Sequence, residues 1–197
     1  MLNHRILQKT RLSSLAPLFL PAILVAQVAP VAASDHGHQK AQAKFNQAGE
    51  LARPANIKEW ISIGASVTPK DMNNGKPAFP EFHYVYLDHT SWAHWKKTGE
   101  FREGAMIAKE LVSVGSKSSA SGSGYFAGDY VGLVAVSVKD SKRFAKSSNW
   151  GYFVFGDDKA QSVPADESCV ACHQANAAQD MVFTQYWAPL RAVSPKK

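Results

Sequence analysis

Ala105-Met106-Ile107-Ala108-Lys109-Glu110-Leu111-Val112-Ser113-Val114 and, beyond a loop, Tyr130-Val131-Gly132-Leu133-Val134-Ala135-Val136-Ser137-Val138 are the stretches that decide the fold. Both are apolar runs of strand length rich in β-branched residues, and Trp150 to Phe155 adds an aromatic run of the same kind. Between the first two, Gly115 to Gly124 is mostly serine and glycine, which suits a flexible hairpin loop. Phe82 to Leu87 reads as a further strand, and Asp71-Met72-Asn73-Asn74-Gly75-Lys76-Pro77 is a turn cluster. Ser91 to Thr98 has the look of a short helix closed by Gly99, with Trp92 and Trp95 on one side. Ile57 to Val67 either continues as a helix or enters a first strand. Phe45 to Leu51 has helical composition and ends near Arg53-Pro54. Asn176 to Trp187 has helical spacing at Ala178, Met181, Val182 and Gln185, stopping at Pro189. No internal repeat and no second domain are visible. The expected class is α+β, a mainly antiparallel β-sheet with flanking helices, in a single domain over residues 45–197.

The chain has two cysteines, and both fall in Cys169-Val170-Ala171-Cys172-His173. Two thiols two residues apart can add to the two vinyl groups of one haem, and the next histidine then lies under the iron as axial ligand. A thioredoxin-like redox pair normally opens a helix near the front of a βαβ unit, and a zinc site needs two more Cys or His ligands at similar spacing. Neither context is visible, so the motif reads as a covalent attachment site for haem c, with iron bound by His173. Its place near the C-terminus of a β-rich chain is unlike ordinary electron-transfer cytochromes c, which are helical and carry the motif near the front.

The N-terminus agrees with this reading. Arg5, Lys9 and Arg11 precede an apolar stretch from Leu15 to Val25, followed by the small residues Val31-Ala32-Ala33. That is the pattern of a secretory signal peptide over residues 1–33, and Pro17, Pro21 and Pro30 argue against a stable spanning helix. Cleavage after Ala33 or Ser34 leaves about 163 residues, one domain's length, with no membrane span. Haem is attached to c-type apoproteins after export in bacteria, so the expected compartment is the periplasm. Residues 34–44, with His36 and His38, read as a polar, flexible N-terminal segment. The precursor has 22 Lys and Arg against 16 Asp and Glu; the signal removes three cations and leaves 19 against 16. The lysines are scattered, which speaks against a nucleic-acid partner.

Glu59-Trp60, His94-Trp95-Lys96-Lys97-Thr98-Gly99-Glu100-Phe101, Gly104 to Leu111, Cys169 to Ala178 and Met181-Val182-Phe183-Thr184-Gln185-Tyr186 closely resemble the cytochrome P-460 family. The resemblance covers residues from about Phe45 to Arg191 and implies a β-rich cytochrome that forms a homodimer. The family includes the cytochromes c-prime-beta, and its chemistry is on hydroxylamine and nitric oxide. For this chain the resemblance implies oxidation of hydroxylamine to nitrous oxide or nitrite, with electrons leaving to a periplasmic acceptor. Two other classes stand beside it: a non-catalytic nitric-oxide-binding protein of the c-prime-beta kind, and plain electron transfer, which would need a sixth iron ligand.

In cytochrome P-460 proper a lysine is also bonded to a meso carbon of the haem. Period two puts Ala105, Ile107, Lys109 and Leu111 on one strand face and Met106, Ala108, Glu110 and Val112 on the other. That pattern leaves open which face is inward, and on it alone a rim lysine with its stem packed and its ammonium in water is the favoured reading. The family's Gly-x-x-x-x-Lys-Glu segment, matched onto Gly104 to Glu110, implies that Lys109 is the cross-linking residue; Lys96 and Lys97 are the runners-up. Burial would favour the neutral amine that such a bond requires. Met181, eight residues past His173 on the same expected helix, is not placed to reach the other side of the iron. Met72 and Met106 read as filling, and His83, His89 and His94 as structural or surface, leaving that side open. The resemblance also implies a distal carboxylate base, in members that oxidise hydroxylamine, on the strand after the Gly-rich loop. Here Tyr130 to Val138 holds no acid, Val134 or Ala135 stands in its place, and Asp129 and Asp140 flank the run. A positioned base contributes about 10²–10⁴-fold, so the departure bears on turnover more than on binding.

Overall fold

The computed structural model describes residues 42–156, 160–163 and 168–193; the expected signal peptide and residues 34–41 lie outside these. In chain order the strands are Ile61–Val67 (β1), Phe82–Leu87 (β2), Met106–Val114 (β3), Ser118–Ser119 (β4), Gly122–Ser123 (β5), Ala127–Lys139 (β6), Trp150–Phe155 (β7) and Ala160–Val163 (β8). The helices are His89–Thr98 (α1), Ser168–Asn176 (α2) and Ala188–Arg191 (α3). Six strands make one sheet in the order β1-β2-β3-β6-β7-β8, with each neighbouring pair antiparallel. The expected hairpin loop joins β3 to β6, and within it β4 and β5 form a small ribbon at the tip. The expected α+β class and the antiparallel sheet are borne out.

Side-chain alternation gives the sheet two apolar faces. Met106 and Ala108 of β3, Val134, Val136 and Val138 of β6, and Phe153 and Phe155 of β7 pack with Leu51, Ile57 and Trp60 on one side. Ile107 of β3, Val85 and Leu87 of β2 and Tyr152 of β7 face the other side, where Trp95, Val170, Met181, Val182, Trp187 and Leu190 cover them. The segment from α2 to α3, together with Trp95 of α1, therefore packs as a layer on the second face. Trp187 lies so close to β1 that only a glycine fits beneath it: a Cβ on Gly64 would stand 2.0 Å from its ring.

Asp88 joins α1 to this sheet. Its Oδ1 accepts from the Ser91 amide at 2.9 Å as the N-cap, and its Oδ2 accepts from the Met106 amide at 2.9 Å. Gly99, at φ +71°, closes the helix as expected.

Two expected helices are absent. Phe45 to Leu51 is a tight turn closed by a Phe45–Leu51 bridge, because the Phe45 ring packs against Phe144 and Phe153 instead of lying along a helix. Asn176 to Trp187 is not a helix either: α2 ends at Asn176, Gln179 and Val182 form a bridge, and a 3-10 turn spans Thr184–Tyr186. Asp180 and Met181 take φ of +48° and +61°, which no α-helix accommodates. Ile57 to Val67 resolves into a 3-10 turn over Ile57–Glu59 followed by β1. Among the described residues no helix is long and apolar enough to cross a membrane.

Candidate functional site

α2 carries the Cys169 to His173 motif. Its alanines and glutamine favour helix, and its end is held by Gln185, whose Nε2 donates to the Asn176 carbonyl at 2.7 Å while its Oε1 accepts from the Ala178 amide at 3.1 Å. Cys169 and Cys172 are free thiols one helical turn apart, half-buried and exposed respectively.

The His173 ring is fixed from three directions. Nδ1 lies 2.6 Å from the Met181 carbonyl oxygen, which can only accept, so Nδ1 carries the proton and donates. Tyr152 of β7 and Phe183 flank the ring, with centroids at 4.8 Å and 4.6 Å. Burial pushes the His173 pKa down and the positive charge of Lys109 acts in the same direction, against the Met181 hydrogen bond. The result is a neutral imidazole with its Nε2 lone pair available, the state of a metal-ligating histidine whose other nitrogen is oriented by a carbonyl.

That carbonyl belongs to a turn built for the purpose. Asp180, beside Met181, accepts from Trp150 Nε1 at 3.1 Å and from Lys139 Nζ at 2.6 Å. Gln179 Nε2 donates to the Gly99 carbonyl at 2.8 Å, tying the same turn to the end of α1. Met181 thus holds His173 through its backbone from outside any helix.

Lys109 sits in the middle of β3, opposite Val85 on β2 and Ala135 on β6. It shares a face with Ile107 and Leu111, so its row is the one covered by the C-terminal layer. Its Nζ lies 4.4 Å from the Phe79 ring centroid, and no ion pair reaches it among the described residues. Burial pushes its pKa below the ordinary lysine value, while Cys169, Cys172 and Glu81 act electrostatically in the other direction. The same lysine depresses His173, so the four residues singled out in the sequence stand within electrostatic reach of one another.

The other expectations sort cleanly. Val134 is 2% exposed, pairs with Glu110 and points into the opposite core, so of the two residues considered for the distal acid's place only Ala135 faces Lys109. Asp129 is exposed, and Asp140 accepts from the Lys142 and Arg143 amides in a turn. Met72 is 76% exposed and Met106 lies in the opposite core. Lys96 and Lys97 are exposed on α1, and the His89 ring bonds the Glu59 carbonyl at 2.7 Å. His83 lies on the Lys109 face, half-buried against Ser66 and Phe79, and its Nε2 is buried with no partner. Sequence reasoning also missed Tyr152 and Phe183 as the walls of His173. Counting by two along Trp150 to Phe155 isolates Tyr152, but nothing in the sequence says that it meets His173.

The donors suit an iron held by a macrocycle. Two thiols one turn apart, an oriented imidazole with a free nitrogen and an unpaired amine over an apolar strand face match the groups that c-type haem attachment uses. Among the described residues no three or more His, Cys, Asp or Glu side chains gather where a bare metal ion could be held. A search of curated proteins finds no match to the chain. The family model for cytochrome P460 matches residues 54–184, from just ahead of β1 through the motif helix to the turn that orients His173. The chain belongs to the cytochrome P460 family, a family of haem proteins with hydroxylamine-oxidising members.

Proposed function

We propose that this protein is a periplasmic c-type haem protein that oxidises hydroxylamine to nitrous oxide or nitrite, passing electrons to a periplasmic acceptor. The single observation carrying this reading is Lys109: a half-buried amine with no ion pair, held within electrostatic reach of both motif cysteines and His173. Haem supplies an iron that binds a small nitrogen ligand and takes up its electrons. Cys169 and Cys172 would tether it and His173 would ligate its iron, while Lys109 would bond and tune the macrocycle, its C–N bond replacing one amine N–H and one ring C–H with two electrons passed to an external oxidant. Met181, Tyr152 and Phe183 hold the His173 imidazole in one orientation and one tautomer. The neutral amine that burial favours at Lys109 is the form able to make a covalent bond.

The test is a digest. The haem-bearing peptide containing Cys169 to His173 is isolated and weighed; with the bond in place, a second peptide spanning Lys109 travels with it. Lys109→Leu should release that peptide while the thioethers keep the haem. Finding the thioether peptide alone in the native protein would sink the cross-linked reading. A second reading is supported by Ala135, which places a methyl group, not a carboxylate, across from Lys109. It is a non-catalytic nitric-oxide-binding protein of the cytochrome c-prime-beta kind. A steady-state assay with hydroxylamine and an artificial electron acceptor separates the two, since no oxidation above free-haem background leaves only binding.

A further inference from the structure

Inward-facing residues of neighbouring strands fall into rows across the sheet. Leu87, Ile107, Ser137 and Tyr152 form one row, and the His173 ring rests on its last member. Val85, Lys109, Ala135 and Val154 form the next. His83 and Leu111 begin the row after that. Successive inward residues on a strand are about 7 Å apart, so His173 and His83 approach the level of Lys109 from opposite sides. With the haem edge at Lys109 and its axial ligand at His173, as proposed above, His83 stands on the remaining side of the iron.

The ring is oriented for a ligand. His83 Nδ1 faces Ser66 Oγ at 3.5 Å and the Phe79 backbone carbonyl favours a proton on the ring, which we assign to Nδ1, the nitrogen that has a partner. Phe79 meets the ring edge-on at 5.8 Å and lies beneath the Lys109 amine. With the proton on Nδ1, Nε2 presents its lone pair, buried and unpartnered, on an apolar sheet face. An unmet acceptor in such a place costs stability unless something donates to it. Burial and the Lys109 charge keep the imidazole neutral, with Glu81 and the Phe79 carbonyl opposing them.

We infer that His83 is the distal hydrogen-bond acceptor of this site, its Nε2 receiving the N–H or O–H of a hydroxylamine-class ligand where Ala135 offers no carboxylate. The inference rests on the haem reading of the previous section but not on turnover. It gives the site a preference for ligands that carry a proton over nitric oxide and carbon monoxide, which carry none.

Binding to the haem-loaded protein, followed optically with no electron acceptor present, tests it. His83→Leu should weaken hydroxylamine about tenfold, the loss of one hydrogen bond, and leave nitric oxide within about twofold. His83→Gln, which keeps an acceptor, should recover part of the loss. Equal weakening of both ligands, or no change for hydroxylamine, overturns the assignment. Should the leucine variant fail to load haem, the C–O stretch of the native protein's carbon monoxide complex decides. Protonating Nε2 turns an acceptor into a donor, so the stretch should step downwards as pH falls below 6.5, the ordinary histidine value. An invariant stretch overturns the proposal. Selective binding without oxidation would instead remove the enzyme reading and leave His83 in place.

Discussion

Lys109 is an unfavourable residue for the fold that contains it. Its amine is drawn partly out of water with the Phe79 ring and no ion pair beside it, and burial lowers its pKa below the ordinary 10.5. The unfolded chain therefore holds that proton more tightly than the folded one. The folded chain without haem should gain stability as pH rises from the depressed value towards 10.5, and below that window the penalty is complete. Lys109→Met in the haem-free chain should raise stability at neutral pH and flatten the pH dependence across the window. Urea melts at several pH values check both; a variant less stable than the parent at neutral pH would refute the account. The site was unevenly legible at this scale. Cys169, Cys172 and His173 declare themselves because thioether chemistry dictates their spacing. The orientation of Lys109 does not, since alternation gives two faces without saying which is covered. His83 was passed over because an imidazole beside aromatic residues looks alike in a core, on a surface or in a pocket, and its unmet Nε2 exists only once β2 is paired.

The turn between α2 and α3 decides how His173 is held. Asp180 and Met181 both adopt left-handed φ, a conformation costing non-glycine residues of order 1 kcal/mol or more, and side-chain bonds from Trp150 and Lys139 to Asp180 offset it. Asp180→Ala should cost about 2 kcal/mol of stability and loosen the Met181 carbonyl from His173 Nδ1. A weaker hydrogen bond makes the imidazole a poorer electron donor, so the haem midpoint potential should rise. An unchanged potential in a folded, haem-loaded variant would show that the turn does not govern the ligand. The same segment explains a failure of sequence reading: Ala178, Met181, Val182 and Gln185 have helical spacing, yet Gln185 caps α2 from seven and nine residues away. Long-range hydrogen bonds overrode local periodicity there, as ring packing did for Phe45 to Leu51. Phe82 to Leu87 and Trp150 to Phe155 were legible to the residue because burial on both faces selects β-branched and aromatic side chains along their length. Gly64 shows packing of the same non-local kind, and Gly64→Ala should destabilise by roughly 1–3 kcal/mol by displacing Trp187. A melting temperature within a degree of the parent would contradict it.

Across the described molecule the two apolar faces differ in what closes them. The face holding Met106, Val136 and Phe153 is sealed by protein alone, through Leu51, Ile57 and Trp60. The face holding Lys109 is covered by a C-terminal layer whose motif helix is weakly attached. In α2, Val170 is 2% exposed, whereas Ala171, Cys172, Gln174, Ala175 and Asn176 are all exposed. A nine-residue helix held by Val170, the His173 contacts and the Gln185 cap, with little other apolar area, is expected to open locally before the sheet does. On the proposed reading, the thioethers and the axial bond supply the missing attachment, joining α2 to the level of Lys109. In a Cys169→Ser/Cys172→Ser chain, amides of β3, β6 and β7 should stay slow to exchange while those of α2 exchange near the rate of an open chain. Haem attachment should then slow the α2 amides by roughly a hundredfold or more, a local opening free energy greater by about 3 kcal/mol, with little change in β6 and β7. Equal protection of α2 with and without haem would mean that Val170 and the contacts orienting His173 already fix the whole motif helix.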